Sequence, residues 1–280
     1  MPFFRMDFIL AAEDQKTSTE ISDLYDKIYV ISLDRTPERF ANVKKQLDKL
    51  NLKCEKFSAV DGNLITVTDV ERNYSVLWYK IGPPEGYYRG ATLKISYQGT
   101  YKDAEFCYIT DKCLMNSGEL GCAMSHRAVW ADIVKHNYKN AIVFEDDVTL
   151  KDNLVPKLHS IVRNLPEDFH IFFLDIAIRL GDELVRTNFF PADFWLSKFS
   201  NTPSSYHAKI KPNNKKITST HAYIITLNSA KKLLEKTKLI HMPIDTSIMY
   251  SGLNLYVSKI KLLTSTTSDS VIFCRKDKNE

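Results

Sequence analysis

Residues 27–62 leave few folds open. The run KIYVISL at 27–33 is apolar, rich in β-formers and bounded by charges, as a core strand should be. Asp34 and Arg35 turn the chain, Thr36 can cap a helix, and Pro37 suits its first position. Phe40, Val43, Leu47 and Leu50 then recur at helical spacing. KCEKFSAV at 53–60 reads as a second strand, ending at Asp61 and Gly62. Strand, helix and strand in succession predict a parallel pair joined by a right-handed crossover. The expectation is an α/β chain with a Rossmann-like, mostly parallel central sheet flanked by helices.

In open α/β sheets ligands bind at the C-terminal edge of the strands. AIVF at 141–144 reads as another buried strand, and Glu145, Asp146 and Asp147 follow it at once. Adjacent carboxylates repel and raise one another's pKa unless a cation sits among them. Mg²⁺ or Mn²⁺ is the simplest such cation, since hard divalent ions take carboxylate oxygens together with substrate phosphates. A solvated acidic turn would look the same in isolation. Strand alternation puts Glu145 and Asp147 on one face if the strand continues.

The rest of the chain extends the α/β pattern. Ser117 and Gly118 open a helix with Leu120, Met124, Ala128 and Ile133 on one face, and Trp130 and Val134 beside them. Residues 151–165 are amphipathic and stop at Pro166. FHIFFL at 169–174 is a fourth buried strand ending at Asp175, and AYIITL at 222–227 is another. Asn228 is the expected cap of the helix after it. Pro243 and Asp245 open a short helix, and 253–263 alternates as final strands. Residues 181–216 are polar and poorly patterned, suited to a hairpin and a loop. Residues 63–116 form an excursion with at most a hairpin, lying over the sheet edge as an insertion or lid. The sequence shows neither an internal repeat nor a linker between domains. The expected organisation is an N-terminal extension over 1–24, one domain over 25–275 and a frayed tail at 276–280.

Charge and cysteines narrow the partners. The chain has 280 residues, 44% hydrophobic, with a net charge of +4. Its lysine patches at 207–216 and 231–238 are too sparse for a nucleic-acid stripe. They suit a solvated face, or attraction to an acidic membrane surface or an anionic glycolipid. Five cysteines without CxxC spacing make neither a disulfide framework nor a zinc signature. They point to reduced thiols in a cytosol-like compartment, with Cys122 read as packing. The apolar start of the chain is far short of the ~20 residues a membrane span needs. It leaves two options, docking on the body or lying in a membrane interface.

Several blocks together resemble glycosyltransferase family 25, the lipooligosaccharide and collagen galactosyltransferase group. They are IYVISLDRTPER at 28–39, AVDG at 59–62, GELGCAMSHRAVW at 118–130, VFEDDV at 143–148, AYIITLNSAKKLL at 222–234 and PID at 243–245. The GELGC-x-x-SH block followed by FEDDV is the specific part. The resemblance covers about residues 25–270. It implies a GT-A-like single domain, a UDP-sugar donor (commonly UDP-galactose), Mn²⁺ or Mg²⁺, and a glycan or glycolipid acceptor.

Under that resemblance Glu145, Asp146 and Asp147 correspond to the DxD-type motif. Glu145 and Asp147 are the expected metal ligands, and Asp146 the expected donor contact. Leu33, Arg35 and Arg39 follow the first strand at the same rim, where a guanidinium matches phosphate geometry. Asp61 ends the second strand, where uridine or ribose lies in such sheets, although Asp-Gly is also a favoured turn pair. Ser125 and His126 are expected near the donor sugar, and the free helix start at 118–121 could host an anion. Inverting transfer needs a base that takes the acceptor proton. Asp245, in the family's P-x-D block, is the first candidate and Asp175 the second. His221, just before the 222–227 strand, could reach the metal or the donor. Residues 63–116 are longer and more aromatic than the family pattern, and 263–272 match its ending only loosely. Two other functions use the same acids: a metal-dependent nucleotide-sugar hydrolase, and a non-catalytic nucleotide-sugar-binding module. Sequence leaves the oligomeric state open.

Overall fold

The computed structural model describes residues 25–72, 91–97, 117–180, 183–186, 199–200, 204, 206–211, 217–238, 240 and 242–265. Expectations for 1–24, most of the excursion, and the tail lie outside these residues, as do Cys107, Cys113 and Cys274.

The opening unit folds as its pattern requires. β1 (Lys27–Ser32) leads into α1 (Pro37–Lys49), and β2 (Glu55–Ser58) returns parallel to β1. Thr36 holds the cap position of α1 but makes no side-chain cap bond to it. Its hydroxyl instead donates to the Leu33 carbonyl at 3.4 Å. A 3₁₀ turn at Gly62–Leu64 follows β2, then the antiparallel pair β3 (Ile65–Arg72) and β4 (Ala91–Tyr97) within the excursion. The later elements are α2 (Ser117–His136), β5 (Asn140–Glu145), β6 (Val148–Leu150), α3 (Leu154–Arg163) and β7 (Ile171–Phe173). Then come β8 (Ala177–Leu180), β9 (Glu183–Arg186), β10 (Phe199–Ser200), β11 (His207–Ile210), β12 (Ile217–Thr218) and β13 (Ala222–Thr226). The chain continues through α4 (Leu227–Lys236), α5 (Ile244–Met249), β14 (Leu255–Ser258) and β15 (Leu263–Ser265).

The main sheet has eight strands in the order β10-β11-β14-β7-β13-β5-β1-β2. β2, β1 and β5 run one way; β13 reverses against β5, and β7 reverses again against β13. β14 is parallel to β7, β11 is antiparallel to β14, and β10 is antiparallel to β11. Six of the eight strands therefore share a direction, and β13 and β11 oppose them. This is the mostly parallel α/β sheet expected, with a reversed strand at its centre.

Alternating side chains feed two cores. Tyr29, Ile31, Val143, Phe173 and Tyr223 join Leu120, Val129, Trp130 and Ile133 of α2, Leu233 of α4 and Ile248 of α5 on one face. Ile28, Val30, Ile142, Phe144 and Phe172 join Val43 and Leu47 of α1 and Leu158 and Ile161 of α3 on the other. Helices thus cover both faces, which explains why the central strands read as continuous apolar runs.

Two local expectations are corrected, and the expected final strands form. The cap of α4 is Thr226, whose hydroxyl accepts from the Ser229 N–H at 3.2 Å, rather than Asn228, which lies inside the helix. The polar 181–216 stretch contributes β11 to the main sheet instead of only a hairpin and a loop. Of the final strands, β15 pairs with β6 outside the main sheet.

Candidate active site

The sheet brings three separate strand ends to one rim. β5 ends at Glu145, and its Ala222 register with β13 places His221 beside Glu145. The Glu145 N–H donates to the His221 carbonyl at 2.8 Å. On the other flank of β13, Phe173 faces Tyr223, and the Leu174 N–H donates to the Ala222 carbonyl at 2.9 Å. Continuing that register sets Asp175, which is 4% exposed, across from His221. Because β13 runs backwards, its leading residues share an edge with the last residues of β5 and β7.

The acidic tip divides even though β5 stops at Glu145 and Asp146 and Asp147 form a turn rather than continuing the strand. Asp146 turns toward β1 and α1, where Ser32 Oγ donates to it at 2.7 Å and Arg39 Nη2 pairs with it at 2.6 Å. Glu145 and Asp147 turn the other way, toward His221. The His221 Nδ1 stands 3.3 Å from Asp147 Oδ1 and 3.5 Å from Glu145 Oε2. That nitrogen is buried and off hydrogen-bond geometry with both. The ligand atoms of Glu145, Asp147 and His221 lie within 4.8 Å of one another. Two carboxylates and an imidazole so close fit a divalent cation, and the imidazole favours Mn²⁺ over the more oxygen-demanding Mg²⁺.

Glu145 is held from behind by a buried chain of hydrogen bonds. Thr220 Oγ1 donates to its Oε1 at 2.6 Å, and His126 Nε2 lies 3.3 Å from the same oxygen. His126 Nδ1 meets the Tyr223 hydroxyl at 2.8 Å, and Trp130 Nε1 donates to that hydroxyl at 3.0 Å. In the neutral imidazole every proton is placed if Tyr223 donates to Nδ1 and Nε2–H donates to Glu145. His126, Trp130 and Tyr223 are each 0% exposed. Sequence reasoning missed Thr220, Tyr223, Trp130 and Ser32. Tyr223 and Trp130 look like ordinary core aromatics, and only three-dimensional register reveals their polar ends meeting.

The charges follow from these contacts. Burial alone would raise the Glu145 carboxyl, but the flanking His126 and His221 imidazoles outweigh it and hold it well below the usual carboxylate range. Burial likewise opposes a charged His221, but Asp147 and then Glu145 overcome it and push the imidazole up to about 10. Asp146 is shifted upward, chiefly by burial, despite Ser32 and Arg39. Burial also pushes the Cys122 thiol well up, with Glu145 and Asp245 adding to it.

The GELGC-x-x-SH block serves two faces of α2. Ser125 Oγ donates to the Gly121 carbonyl at 2.7 Å and accepts from the Val60 N–H at 2.8 Å, so Ser125 ties α2 to the end of β2. A side chain at Gly121 would stand 2.6 Å from the Val60 carbonyl oxygen, and one at Gly62 would stand 2.1 Å from that of Ser117. These glycines permit a backbone-to-backbone joint. One position along, Cys122 and His126 face Glu145.

The remaining expected residues lie around this centre. Leu33, half-buried, follows β1. Arg35 Nε donates to Asp61 Oδ2 at 2.7 Å, and Asp61 Oδ1 caps the 3₁₀ turn through the Asn63 N–H. Asp245, in the first turn of α5, accepts from the Thr246 N–H at 2.6 Å and the Ser219 N–H at 3.3 Å. Ser219 has a φ of +100°, a costly conformation for a non-glycine residue. Asp245 thus fastens the strained residue just before Thr220 and His221.

The sequence model of glycosyltransferase family 25, described as an LPS biosynthesis protein family, matches residues 25–248. The chain belongs to glycosyltransferase family 25. It is similar to a mouse protein named inactive glycosyltransferase 25 family member 3, with 28% identity over 141 residues, 50% of this chain and 20% of that one. It is 24% identical over 253 residues to a glycosyltransferase 25 family member of Drosophila melanogaster, covering 86% of this chain and 32% of the fly protein. An Anopheles gambiae member shares 27% over 222 residues, 78% of this chain and 30% of its own. This family-25 chain therefore spans about a fifth to a third of the length of these relatives. Among the described residues, no helix is long and apolar enough to cross a membrane.

Proposed function

We propose that this family-25 chain is a metal-dependent inverting glycosyltransferase. In this reading it moves a hexose, galactose first, from a UDP-sugar to a hydroxyl of a glycan acceptor, lipooligosaccharide-type or protein-linked. The observation that carries the reading is the convergence of Glu145, Asp147 and His221 within 4.8 Å at the sheet rim.

Glu145, Asp147 and His221 would hold Mn²⁺, which when bound supplies charge neutralisation for the departing diphosphate. Around it the chain's own groups do the rest. Arg39, already at the rim through Asp146, has the fork that suits a phosphate. Asp61, three residues past the end of β2, would take the ribose or uridine. The His126–Tyr223–Trp130 chain keeps the Glu145 carboxylate in one orientation, so little reorganisation is needed when charge develops. Asp245 is the first candidate to accept the acceptor's proton, and Asp175, one strand away from His221, is the second. The base acts on the face opposite the leaving group, as inversion requires.

Full-length protein incubated with UDP-sugars, Mn²⁺ and candidate glycans should release UDP only when an acceptor is present. Asp147→Ala and Asp245→Ala should each cut turnover by about 10²-fold or more. UDP release indifferent to acceptor would instead identify a hydrolase. Calorimetric binding of UDP-sugar without turnover on any acceptor would identify a binding module, in line with the name of the mouse relative.

A further inference from the structure

A second group of potential ligands adjoins the first. Ligand atoms of Cys122, His126 and Glu145 also lie within 4.8 Å of one another. Cys122 and His126 are four residues apart on α2, so they project from the same side of the helix. His126 Nε2 and Glu145 Oε1 are 3.3 Å apart. Two ligand atoms each about 2.0–2.1 Å from a tetrahedral ion stand about 3.3 Å apart, so that edge already has the right length. Cys122 is a half-buried free thiol.

The surroundings of His126 are built like those of a metal ligand. A ligating histidine is oriented by a partner on its other ring nitrogen. Here that partner is the Tyr223 hydroxyl at 2.8 Å, itself fixed by Trp130 at 3.0 Å. A hydroxyl can donate or accept, so Tyr223 can serve the imidazole in either tautomer. It can accept from Nδ1–H when Nε2 turns its lone pair to an ion.

We propose that Cys122, His126 and Glu145 form a site for a thiophilic divalent ion such as Zn²⁺, Cd²⁺ or Co²⁺, distinct from the Glu145–Asp147–His221 set and exclusive with it. Thiolate and imidazole select softer ions than the oxygen-rich set beside it. Binding breaks the Cys122 S–H bond, forms the metal–sulfur bond and releases the proton to water. Glu145 belongs to both sets, so occupancy of the sulfur site removes a ligand from the other. The resulting inhibition by thiophilic ions rests on the catalytic reading above, whereas the binding itself does not.

The test uses the full chain, reduced and stripped of metal, titrated with Co²⁺ alone. A thiolate-to-cobalt charge-transfer absorption should appear, be lost in both Cys122→Ser and Cys122→Ala, and be displaced by excess Mn²⁺. Tyr223→Phe should weaken Co²⁺ binding by about 10–100-fold. If transferase turnover is found, Zn²⁺ should inhibit it in competition with Mn²⁺, and Cys122→Ser should raise the inhibitory concentration by at least about tenfold. An absorption that persists in both Cys122 variants, or its absence from the parent chain, overturns the proposal. The cobalt spectrum needs no turnover, so an inactive protein that shows it would refute the catalytic reading and leave this site standing.

Discussion

His221 stands between two carboxylates in the described structure, and its proton is the one an ion would replace. An unfolded imidazole titrates near 6.5, whereas in the folded, metal-free chain Asp147 and Glu145, acting against burial, push His221 up to about 10. A group whose folded value is raised adds stability that is complete below its unfolded value and lost as pH climbs through the folded one. Metal-free protein should therefore lose stability progressively from about pH 6.5 to about pH 10. His221→Gln should flatten that slope. Thermal melts in chelator across this range check the claim, and equal slopes for parent and variant would exclude a charged His221. The shift in Tm produced by Mn²⁺ should grow with pH over the same window, since binding displaces that proton.

At the scale of elements, α2 is the part that assembles the site. Its Gly121 and Ser125 seat it against the end of β2, and the adjacent positions Cys122 and His126 then face β5. Gly121→Ala would drive a methyl to 2.6 Å from the Val60 carbonyl oxygen and 2.9 Å from the Gly62 nitrogen, both backbone atoms. Crowding of this kind costs about 1–3 kcal/mol. Ser125→Ala should cost about as much, because it leaves the buried Val60 N–H without its acceptor. Urea unfolding of both variants tests this, and wild-type midpoints would mean the joint is not tight. The element itself was legible from its apolar spacing and its Gly-rich start. The direction of β13 was not, because AYIITL is apolar on both faces and reads the same either way. Nor was β11: HAKI is short and half polar, and only its pairing with β14 and β10 makes it a strand. The cap of α4 could be read two ways, since Thr226 and Asn228 both suit the role. The helix starts at Leu227, which leaves Thr226 as the residue with a free first-turn N–H in reach.

At the scale of the whole molecule, the opening β-α-β unit and the acidic strand tip were enough to anticipate the mostly parallel sheet and the rim where the acids gather. The pairing of His221 with the acids was only half legible, because it depends on a strand running against its neighbours. The excursion adds one more property. Its two flanking residues, Gly62 and Ser117, touch through their main chains, with the Gly62 Cα directly against the Ser117 carbonyl. Closing a longer loop costs only about 0.6 kcal/mol per doubling of length. Replacing residues 66–115 with a short Gly-Ser linker should therefore keep the circular dichroism spectrum and move Tm by only a few degrees. Loss of cooperative unfolding would show that the body depends on the excised stretch. If the cut is tolerated, the doorway between Gly62 and Ser117 is a natural docking port. Segments of very different size and composition could be exchanged there to change what meets the sheet rim without redesigning the scaffold beneath it.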